Sequence, residues 1–309
     1  MPSRTKNKSL KSFRIALPAT SANLGPAFDA AALAMDFYIK IEATMAEEFA
    51  IRASGRDQEI CGKLENHLIL NTYREVLESS GREVAPLSLR IANDIPIGKG
   101  CGSSAAARLA GIALAVHFGR LRWTDSQMIG EASRREHHPD NASACWMGGL
   151  TVARMSGEAE AQVASIRPKG KWPLLLAVPE QTLSTDAARG VLPTQYSRAD
   201  AVTNIQNSML LLAAFTQGRP DLLAGALADR IHQPYRAALC PLLPSVEKLK
   251  GKEGILGAVL SGAGPSVLVF VDPRANLRKV QKVVAAHLAA KGLKAEVLPT
   301  SITSRGARS

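Results

Sequence analysis

Three glycines at alternating positions lead directly into a helix, and this feature constrains the chain more than any other. Residues 98–104 read GKGCGSS and are followed by AAARLAGIALAV. Glycine lets backbone N–H groups approach an anion closely, and the N-terminus of the following helix adds about half a positive charge. The spacing matches neither the GxxxxGK[ST] phosphate loop nor the GxGxxG dinucleotide loop. It predicts a phosphate-binding loop of another kind, with a tight strand-to-helix connection as the alternative.

Length and composition indicate a globular protein of two domains. The chain has 309 residues, of which 46% are hydrophobic and 21% are charged. No run of about 18 apolar residues is present, so we expect no membrane span. The basic N-terminus MPSRTKNKSLKS lacks the apolar stretch of a secretory signal. The four cysteines are far apart and form no CxxC pair, which fits a reducing cytoplasm.

The net charge of +11 has to be weighed against its distribution along the chain. A nucleic-acid-binding protein concentrates basic residues on one element, with aromatic side chains among them. Here the basic residues are scattered and aromatic residues make up only 5% of the chain. We therefore expect no nucleic-acid partner. A basic surface also attracts small anionic ligands such as nucleotides.

Apolar periodicity predicts strands and helices in alternation, and the last four elements (strand, strand, helix, strand) have the order of half a ferredoxin-like layer. Thr124 is the predicted N-cap of a helix. Helices are expected at residues 65–80, 104–118, 125–137, 199–216, 220–231, 244–250 and 275–292. Strands are expected within residues 13–43 (two around a loop), 87–98, 148–155, 172–180, 255–272 (two around a glycine turn) and 293–300. The predicted division is a tail at 1–12, domains at 13–165 and 166–303, and a tail at 304–309, with the boundary in residues 154–171.

Three separate segments together resemble the motifs of the GHMP kinases, a superfamily of ATP-dependent kinases of small molecules. They are PATSANLG at 18–25 with FDA at 28–30, IPIGKGCGSSAAA around the glycine loop, and LSGAGPSVLVF at 260–270. The resemblance runs from about residue 13 to residue 298. It implies an α+β fold of two domains, the first like domain 2 of ribosomal protein S5 and the second ferredoxin-like. For residues 261–266 a simple hairpin turn is the alternative to a contact with the phosphate loop.

Within that superfamily, three further segments resemble the homoserine kinases. They are HPDNASACWMGGL at 138–150, TDAARGVLP at 185–193 and HQPYR at 232–236. Ala27 replaces a glycine of the family pattern SANLGPGFDA. The resemblance implies ATP-dependent phosphorylation of the side-chain hydroxyl of L-homoserine, in threonine biosynthesis, with Mg²⁺ and in a homodimer.

The resemblance also implies which residues form the site. The substrate is a zwitterion with a hydroxyl, so it needs cations for its carboxylate and acids for its ammonium group. The predicted substrate-binding residues are Asn23, Asp29, His138, Asp140, Arg189 and Arg236. The predicted catalytic residues are Asn141, Thr185 and Arg189. The predicted ATP-binding residues are Pro96, Ile97, Gly98, Lys99, Gly100, Cys101, Gly102, Ser103 and Ser104.

Each of these residue types has an ordinary structural role as an alternative. An Asp before an Asn is typical of a turn, and the Asp that ends FD is typical of a cap. The asparagines could stabilise turns, and Thr185 could cap the helix that follows it. Adjacent His137 and His138 cannot easily face one ion, so we do not expect histidine to bind a metal. No residue is an obvious strong base, and the hydroxyl proton can leave through a phosphate oxygen.

This chain departs from the family at the acidic residue that binds magnesium. Homoserine kinases usually carry a glutamate eight residues before the histidine of HPDN, and here that position is Gly130. Glu131 and Glu136 are the nearest acids. One residue along a helix rotates a side chain by about 100°, so three outcomes are open: a local shift that restores Glu131, water in place of the ligand, or a weakened kinase. We favour the first and predict Ser104 and Glu131 as the metal ligands.

Two other functions remain open at this point. Another GHMP kinase, acting on a mevalonate-type alcohol, would use the same glycine loop. A non-catalytic relative that senses a ligand would keep the fold without turnover. The HPDN and PYR segments favour an amino-acid substrate.

Overall fold

The computed structural model describes residues 12–307, which form two sheets with helices packed against them. The predicted tail at 1–12 lies outside the described residues except for Ser12, the first residue of a strand. No helix in the described part of the chain has the length and apolar character needed to cross a membrane. The two-sheet α+β architecture predicted from the sequence is confirmed.

The N-terminal sheet is organised around one long strand, β2. Strand β1 pairs with one edge of β2 along its length, while β4 and β5 pair with different halves of the other edge. Strand β3 runs parallel to β4, and β6 runs antiparallel to β5. The strands are β1 (Ser12–Ala22), β2 (Ala31–Met45), β3 (Ala50–Gly55), β4 (Leu87–Asn93), β5 (Leu150–Met155) and β6 (Ala161–Ile166). Strand β6 falls in the stretch where the domain boundary was predicted.

Five helices belong to this half of the chain, and α3 is the one that follows the glycine loop. They are α1 (Gln58–Cys61), α2 (Leu68–Ser79), α3 (Ser103–Phe118), α4 (Asp125–Glu136) and α5 (Asp140–Met147). Thr124 caps α4 through a capping box with Gln127, as predicted. Neither α5 nor β3 was predicted from the sequence. Helix α5 is almost fully buried and lies beside β1, β2 and α3.

The C-terminal sheet has four antiparallel strands in the order β10-β7-β9-β8. This order, with helices after the first and third strands, is a ferredoxin-like arrangement, half of which was predicted from the last four elements. Its strands are β7 (Pro173–Pro179), β8 (Ile255–Leu260), β9 (Val267–Val271) and β10 (Ala295–Ser301). Its helices are α6 (Thr185–Gly190), α7 (Arg198–Gln217), α8 (Leu223–Ala226), α9 (Gln233–Arg236), α10 (Leu242–Glu247) and α11 (Leu277–Ala290).

The predicted helix at residues 220–231 is wrong. A short 3₁₀ turn, Pro220–Leu222, precedes α8, and the chain is irregular after Ala226. The carboxylate of Asp229 accepts hydrogen bonds from the backbone N–H groups of Ile231, His232 and Gln233. These bonds give the backbone an alternative to the helical pattern, which is the usual effect of aspartate near a helix end.

The end of the chain returns to the N-terminal sheet. The Thr303 N–H donates to the Ala34 carbonyl, and the Thr303 carbonyl accepts from Gly149 N–H. The Ala307 N–H donates to the Cys145 carbonyl at 3.0 Å. The part of the predicted 304–309 tail that the structure describes is therefore anchored, because backbone hydrogen bonds on either side tie it to β2 and α5.

Candidate active site

The glycine loop and the start of α3 form the floor of a cleft between the two sheets. Gly98, Gly100 and Gly102 all have positive φ angles, which non-glycine residues rarely adopt. A Cβ atom on Gly100 would overlap the Ser261 carbonyl oxygen, so this glycine also permits close packing against the 261–264 turn. No side chain caps α3. The first N–H groups of the helix are therefore available to an anion, as the phosphate-loop interpretation requires.

Six of the nine predicted ATP-binding residues line this cleft. They are Gly98, Gly100, Cys101, Gly102, Ser103 and Ser104. Burial raises the pKa of the Cys101 thiol to about 12, so it stays neutral near pH 7. Pro96 and Lys99 line a neighbouring groove with Arg56 and Asp57. The Ile97 N–H donates to the Asp57 carboxylate at 3.0 Å.

Lys99 does not point at the cleft, contrary to the prediction that it binds phosphate. Its ammonium group donates to the backbone carbonyls of Glu180 and Gln181, the latter at 2.8 Å. Burial lowers the pKa of Lys99. These two carbonyl groups lie on the far side of the groove and hold the flexible Lys99 side chain against it. The residues next to Lys99 in the sequence carry no signal for this contact.

The acid beside Ser104 is Glu136 and not the predicted Glu131. Glu136 lines the cleft and accepts hydrogen bonds from the Ser104 hydroxyl and from Arg108 Nε. Glu131 instead accepts from Arg134 at 2.8 and 2.9 Å and from Arg135 at 2.7 Å. Burial would raise the pKa of Glu131, but these two guanidinium groups hold it below its ordinary value.

Helix geometry explains the difference between the two glutamates. Five residues separate them, which places their side chains about 140° apart around the axis of α4. Gly130, the position the family pattern indicates, packs on the connection between β5 and β6, where a Cβ atom would overlap the Ala159 carbonyl. That position therefore has no room for an acid facing the cleft.

The start of α5 brings three predicted residues into one hydrogen-bonded group. His138 Nδ1 lies 2.6 Å from Asp140 Oδ1, which also accepts from the Asn141 N–H at 2.7 Å. Burial lowers the pKa of His138, the Asp140 carboxylate raises it more, and the net pKa lies above the ordinary value. Asp140 Oδ2 is buried and has no hydrogen-bond partner among the described residues. An unused carboxylate oxygen of this kind suits a cationic or hydroxyl-bearing ligand.

Asn141 is oriented by a residue that sequence reasoning missed, Thr20. The Thr20 hydroxyl donates to Asn141 Oδ1 at 2.6 Å, and a Cβ atom on Gly102 would overlap the same hydroxyl oxygen. Thr20 therefore lies between the phosphate loop and Asn141. It belongs to the PATSANLG segment, but its chemistry alone did not single it out.

A second group surrounds Asp29. Asn23 Oδ1 accepts from the Asp29 N–H, and Asn23 Nδ2 donates to the Gly262 carbonyl at 2.9 Å. Arg189 Nη2 donates to Asp29 Oδ1 at 2.7 Å. Thr185 lines the same cleft, and the cap of α6 is Ser184 rather than Thr185.

Arg236 is almost completely buried, with 1% of its surface exposed. It donates from Nε to the Ala188 carbonyl at 2.9 Å, and among the described residues no carboxylate lies within ion-pair distance of it. Phe28 lies near both guanidinium groups, 5.4 Å from Arg189 and 5.3 Å from Arg236. Burial and the neighbouring charge of Arg189 lower the pKa of Arg236. A buried cation without an anionic partner suits an anionic ligand.

Asp29, His138 and Asp140 also meet one another. One ligand atom from each lies within 4.8 Å of the others, the arrangement a bound cation needs. The sequence predicted no metal-binding role for histidine, and the fold brings one ring nitrogen of His138 close to the carboxylates of Asp29 and Asp140. The cleft therefore contains two carboxylates and two arginines, and charges of both signs suit an amino-acid zwitterion.

Comparison with known proteins gives a consistent result. The models of the GHMP kinase N-terminal and C-terminal domains match residues 67–149 and 211–290. The homoserine kinase of Solibacter usitatus is 38% identical over 296 residues, covering 95% of this chain and 96% of that protein. The homoserine kinase of Streptomyces avermitilis is 39% identical, and the match covers 95% of this chain and 94% of that protein. The crystal structure of homoserine kinase from Cytophaga hutchinsonii superposes with a TM-score of 0.81 at 23% identity. The match covers 99% of this chain and 98% of that chain.

Proposed function

We infer, because the chain belongs to the homoserine kinases of the GHMP kinase family, that it phosphorylates the side-chain hydroxyl of L-homoserine with ATP. The products are O-phospho-L-homoserine and ADP, and the reaction serves threonine biosynthesis. The observation that carries the substrate assignment is Arg236, a buried guanidinium without an anionic partner, across the cleft from the start of α3.

The substrate-binding end is built for a zwitterion. Arg236, with Arg189 beside it, takes the carboxylate, while Asp29 and Asp140 face the ammonium group. A mevalonate-type alcohol has a carboxylate but no ammonium group, and it would leave the buried Asp140 Oδ2 without a cationic partner. The site therefore does not favour the mevalonate-type alternative.

The nucleotide occupies the glycine loop. The free N–H groups at the start of α3 bind the phosphates, and the groove lined by Arg56, Asp57 and Pro96 takes the nucleoside end. Lys99 contributes to the wall of that groove through its bonds to residues 180–181.

The residues near the reacting hydroxyl position it, and none has to act as a strong base. Asn141, fixed by Thr20, and Thr185 direct the homoserine hydroxyl toward the γ-phosphorus. The hydroxyl oxygen forms the new bond to phosphorus, the bond to the β-phosphate oxygen breaks, and the proton passes to an oxygen of the transferred phosphate. Arg189 binds both Asp29 and the carboxylate of homoserine. The substrate is thereby prevented from rotating away from the γ-phosphate.

The residues present fit Mg²⁺. Ser104 and Glu136 offer a hydroxyl and a carboxylate oxygen side by side at the start of α3, and Mg²⁺ prefers such oxygen ligands. Bound there with ATP, the ion would neutralise charge on the phosphates. Ser104 and Glu136 hold it in this proposal, and Arg108 holds Glu136 in place.

A substrate panel tests the function. ADP release is measured with L-homoserine, D-homoserine, L-serine and mevalonate, and the phosphorylated product is identified by ³¹P NMR. We expect turnover with L-homoserine at a kcat/KM at least about a hundredfold above that with mevalonate. Equal turnover with mevalonate would contradict the substrate assignment. Binding of L-homoserine without any ADP release would indicate a ligand-sensing relative instead.

The family resemblance further implies a homodimer in the cytoplasm, and we propose both for this chain. All four cysteines are free and buried, which is compatible with a reducing compartment. Sedimentation equilibrium at several protein concentrations tests the dimer, because a monomeric mass at all of them would contradict it.

A further inference from the structure

We propose that His232 is a positioning residue, which uses one ring nitrogen to turn the Arg236 guanidinium toward the substrate carboxylate. This proposal rests on the proposed function. His232 is fully buried and does not line the cleft, so it acts through Arg236. It lies four residues before Arg236 in the HQPYR segment.

The hydrogen bonds of Arg236 leave one end of its guanidinium for a ligand. Nε donates to the Ala188 carbonyl at 2.9 Å, and Nη1 donates to His232 Nδ1 at 3.1 Å. Nη2 has no hydrogen-bond partner in the described part of the chain. The planar group is therefore fixed on two of its three nitrogens, and the third remains for the cleft that Arg236 lines.

The two partners of the imidazole require the same tautomer. His232 Nε2 lies 2.9 Å from the Gly25 carbonyl oxygen, which can only accept, so Nε2 carries the proton. Nδ1 is then the lone-pair nitrogen, and this is the nitrogen that faces the guanidinium, which can only donate. Burial lowers the pKa of His232 and Arg236 lowers it further, against the opposite effects of Asp229 and Asp140, so the ring is neutral.

The surroundings prevent the ring from turning. The Phe28 ring stacks on the imidazole with a centroid distance of 5.1 Å. The Asp229 carboxylate accepts hydrogen bonds from the backbone N–H groups of His232 and Gln233. Gln233 Oε1 accepts a hydrogen bond from the Leu260 N–H at the end of β8. The histidine is therefore connected on one side to the loop at Gly25 and on the other to the strand before the 261–264 turn.

A neutral acceptor has a specific advantage at this position. A carboxylate in place of His232 would pair with Arg236 and cancel the charge that the substrate needs. An apolar residue would leave Nη1 buried without a partner, which is costly for a charged group. The imidazole satisfies the hydrogen bond and leaves the positive charge for the ligand.

The matched variants His232→Asn and His232→Gln separate this role from simple packing. Asparagine places an amide oxygen where Nδ1 lies, whereas glutamine places its amide nitrogen near the position of Nε2. We expect His232→Asn to keep the KM for homoserine within about threefold of wild type and His232→Gln to raise it at least about tenfold, with the KM for ATP within about twofold in both. His67→Asn is the control, because His67 is also buried and bonds a backbone carbonyl, that of Cys61, away from the cleft.

Calorimetric binding of L-homoserine without ATP gives a second readout that needs no turnover. The same order of affinity is expected: wild type, then His232→Asn, then His232→Gln. Equal losses in both variants, or a KM for ATP that rises as much as that for homoserine, would overturn the positioning role while leaving the function intact. A wild-type protein that binds and phosphorylates another substrate but not L-homoserine would overturn both proposals.

Discussion

At the scale of single residues, the site depends on side chains that are fixed by their neighbours before any ligand binds. Glu136 is held by Ser104 and Arg108, while Asn141 is held by Thr20. Such preorganisation removes the cost of ordering these groups during the reaction. It also means that a residue outside the cleft can matter as much as one inside it.

The two glutamates of α4 give a direct test of the metal site. We expect Glu136→Gln to raise the Mg²⁺ concentration for half-maximal activity at least about tenfold, because a neutral amide binds the ion more weakly than a carboxylate. Glu131→Gln should change it less than about twofold, since Glu131 pairs with Arg134 and Arg135. Activity is titrated with Mg²⁺ at saturating ATP and homoserine. Equal, small effects of the two variants would show that neither carboxylate binds the metal.

The Thr20 hydroxyl should matter for the chemical step. Thr20→Val keeps the shape of the side chain and removes the hydrogen bond to Asn141 Oδ1, leaving the amide with only its 3.3 Å contact from Nδ2 to Asp140 Oδ1. We expect kcat to fall about tenfold or more with both KM values within about threefold, because the hydroxyl of the substrate is then less well directed. Thr20→Ser retains the hydroxyl and should recover most of the activity. If serine does no better than valine, the methyl group and not the hydrogen bond is what matters.

At the scale of elements, the phosphate loop has to satisfy two neighbours as well as its ligand. Gly100 packs against the backbone of the 261–264 turn, while Gly102 packs against Thr20. The Ser261 hydroxyl donates to the Gly100 carbonyl at 2.7 Å, and the Cys101 carbonyl accepts from the Thr20 N–H. The 261–264 turn therefore connects β8 to β9 and also fixes the glycine loop.

A substitution at Gly100 tests this packing. The added methyl group of Gly100→Ala would meet the backbone carbonyls of Ser261 and Gly264, and the φ angle of 74° disfavours alanine further. We expect the affinity for ATP to fall at least about tenfold and the melting temperature to decrease. Gly225→Ala is the control, since nothing lies near that position and its φ angle is negative. An unchanged ATP affinity in Gly100→Ala, measured by calorimetry, would contradict the loop geometry.

At the scale of the whole molecule, the site exists only where the two sheets meet. The N-terminal half contributes the phosphate loop, Glu136 and Asn141 to the cleft. The C-terminal half contributes Thr185, Arg189 and Arg236. Contacts outside the cleft hold the halves in register. Arg56 forms a two-bond ion pair with Glu296, and Lys99 reaches residues 180–181.

Lys99→Met distinguishes a contact between the halves from a contact with phosphate. If Lys99 only bridges the halves, we expect the KM for ATP to stay within about threefold and the free energy of unfolding to fall by about 1 kcal/mol or less, as for an exposed polar contact. Urea unfolding and steady-state kinetics measure the two quantities. A rise of tenfold or more in the KM for ATP would mean that the ammonium group leaves its two carbonyls and binds the nucleotide.

Sequence alone determined the properties that depend on short segments. The glycine loop before α3, the cap at Thr124 and the order of the C-terminal elements were predicted because local backbone chemistry and apolar periodicity encode them. The family and its substrate were predicted from the resemblance of short motifs to those of known kinases. It also identified the residues that line the cleft at its substrate end, such as Asp29, Asp140 and Arg236.

The tertiary structure alone decided which of several equivalent side chains faces which partner. Glu131 and Glu136 are the same residue type on one helix, and only the packing of α4 against its neighbours turns Glu136 toward Ser104. Lys99 could reach phosphate or protein, and two carbonyls from the other half of the chain hold it. These choices depend on helix phase and on contacts between residues far apart in the chain, for which the linear order of residues carries no signal.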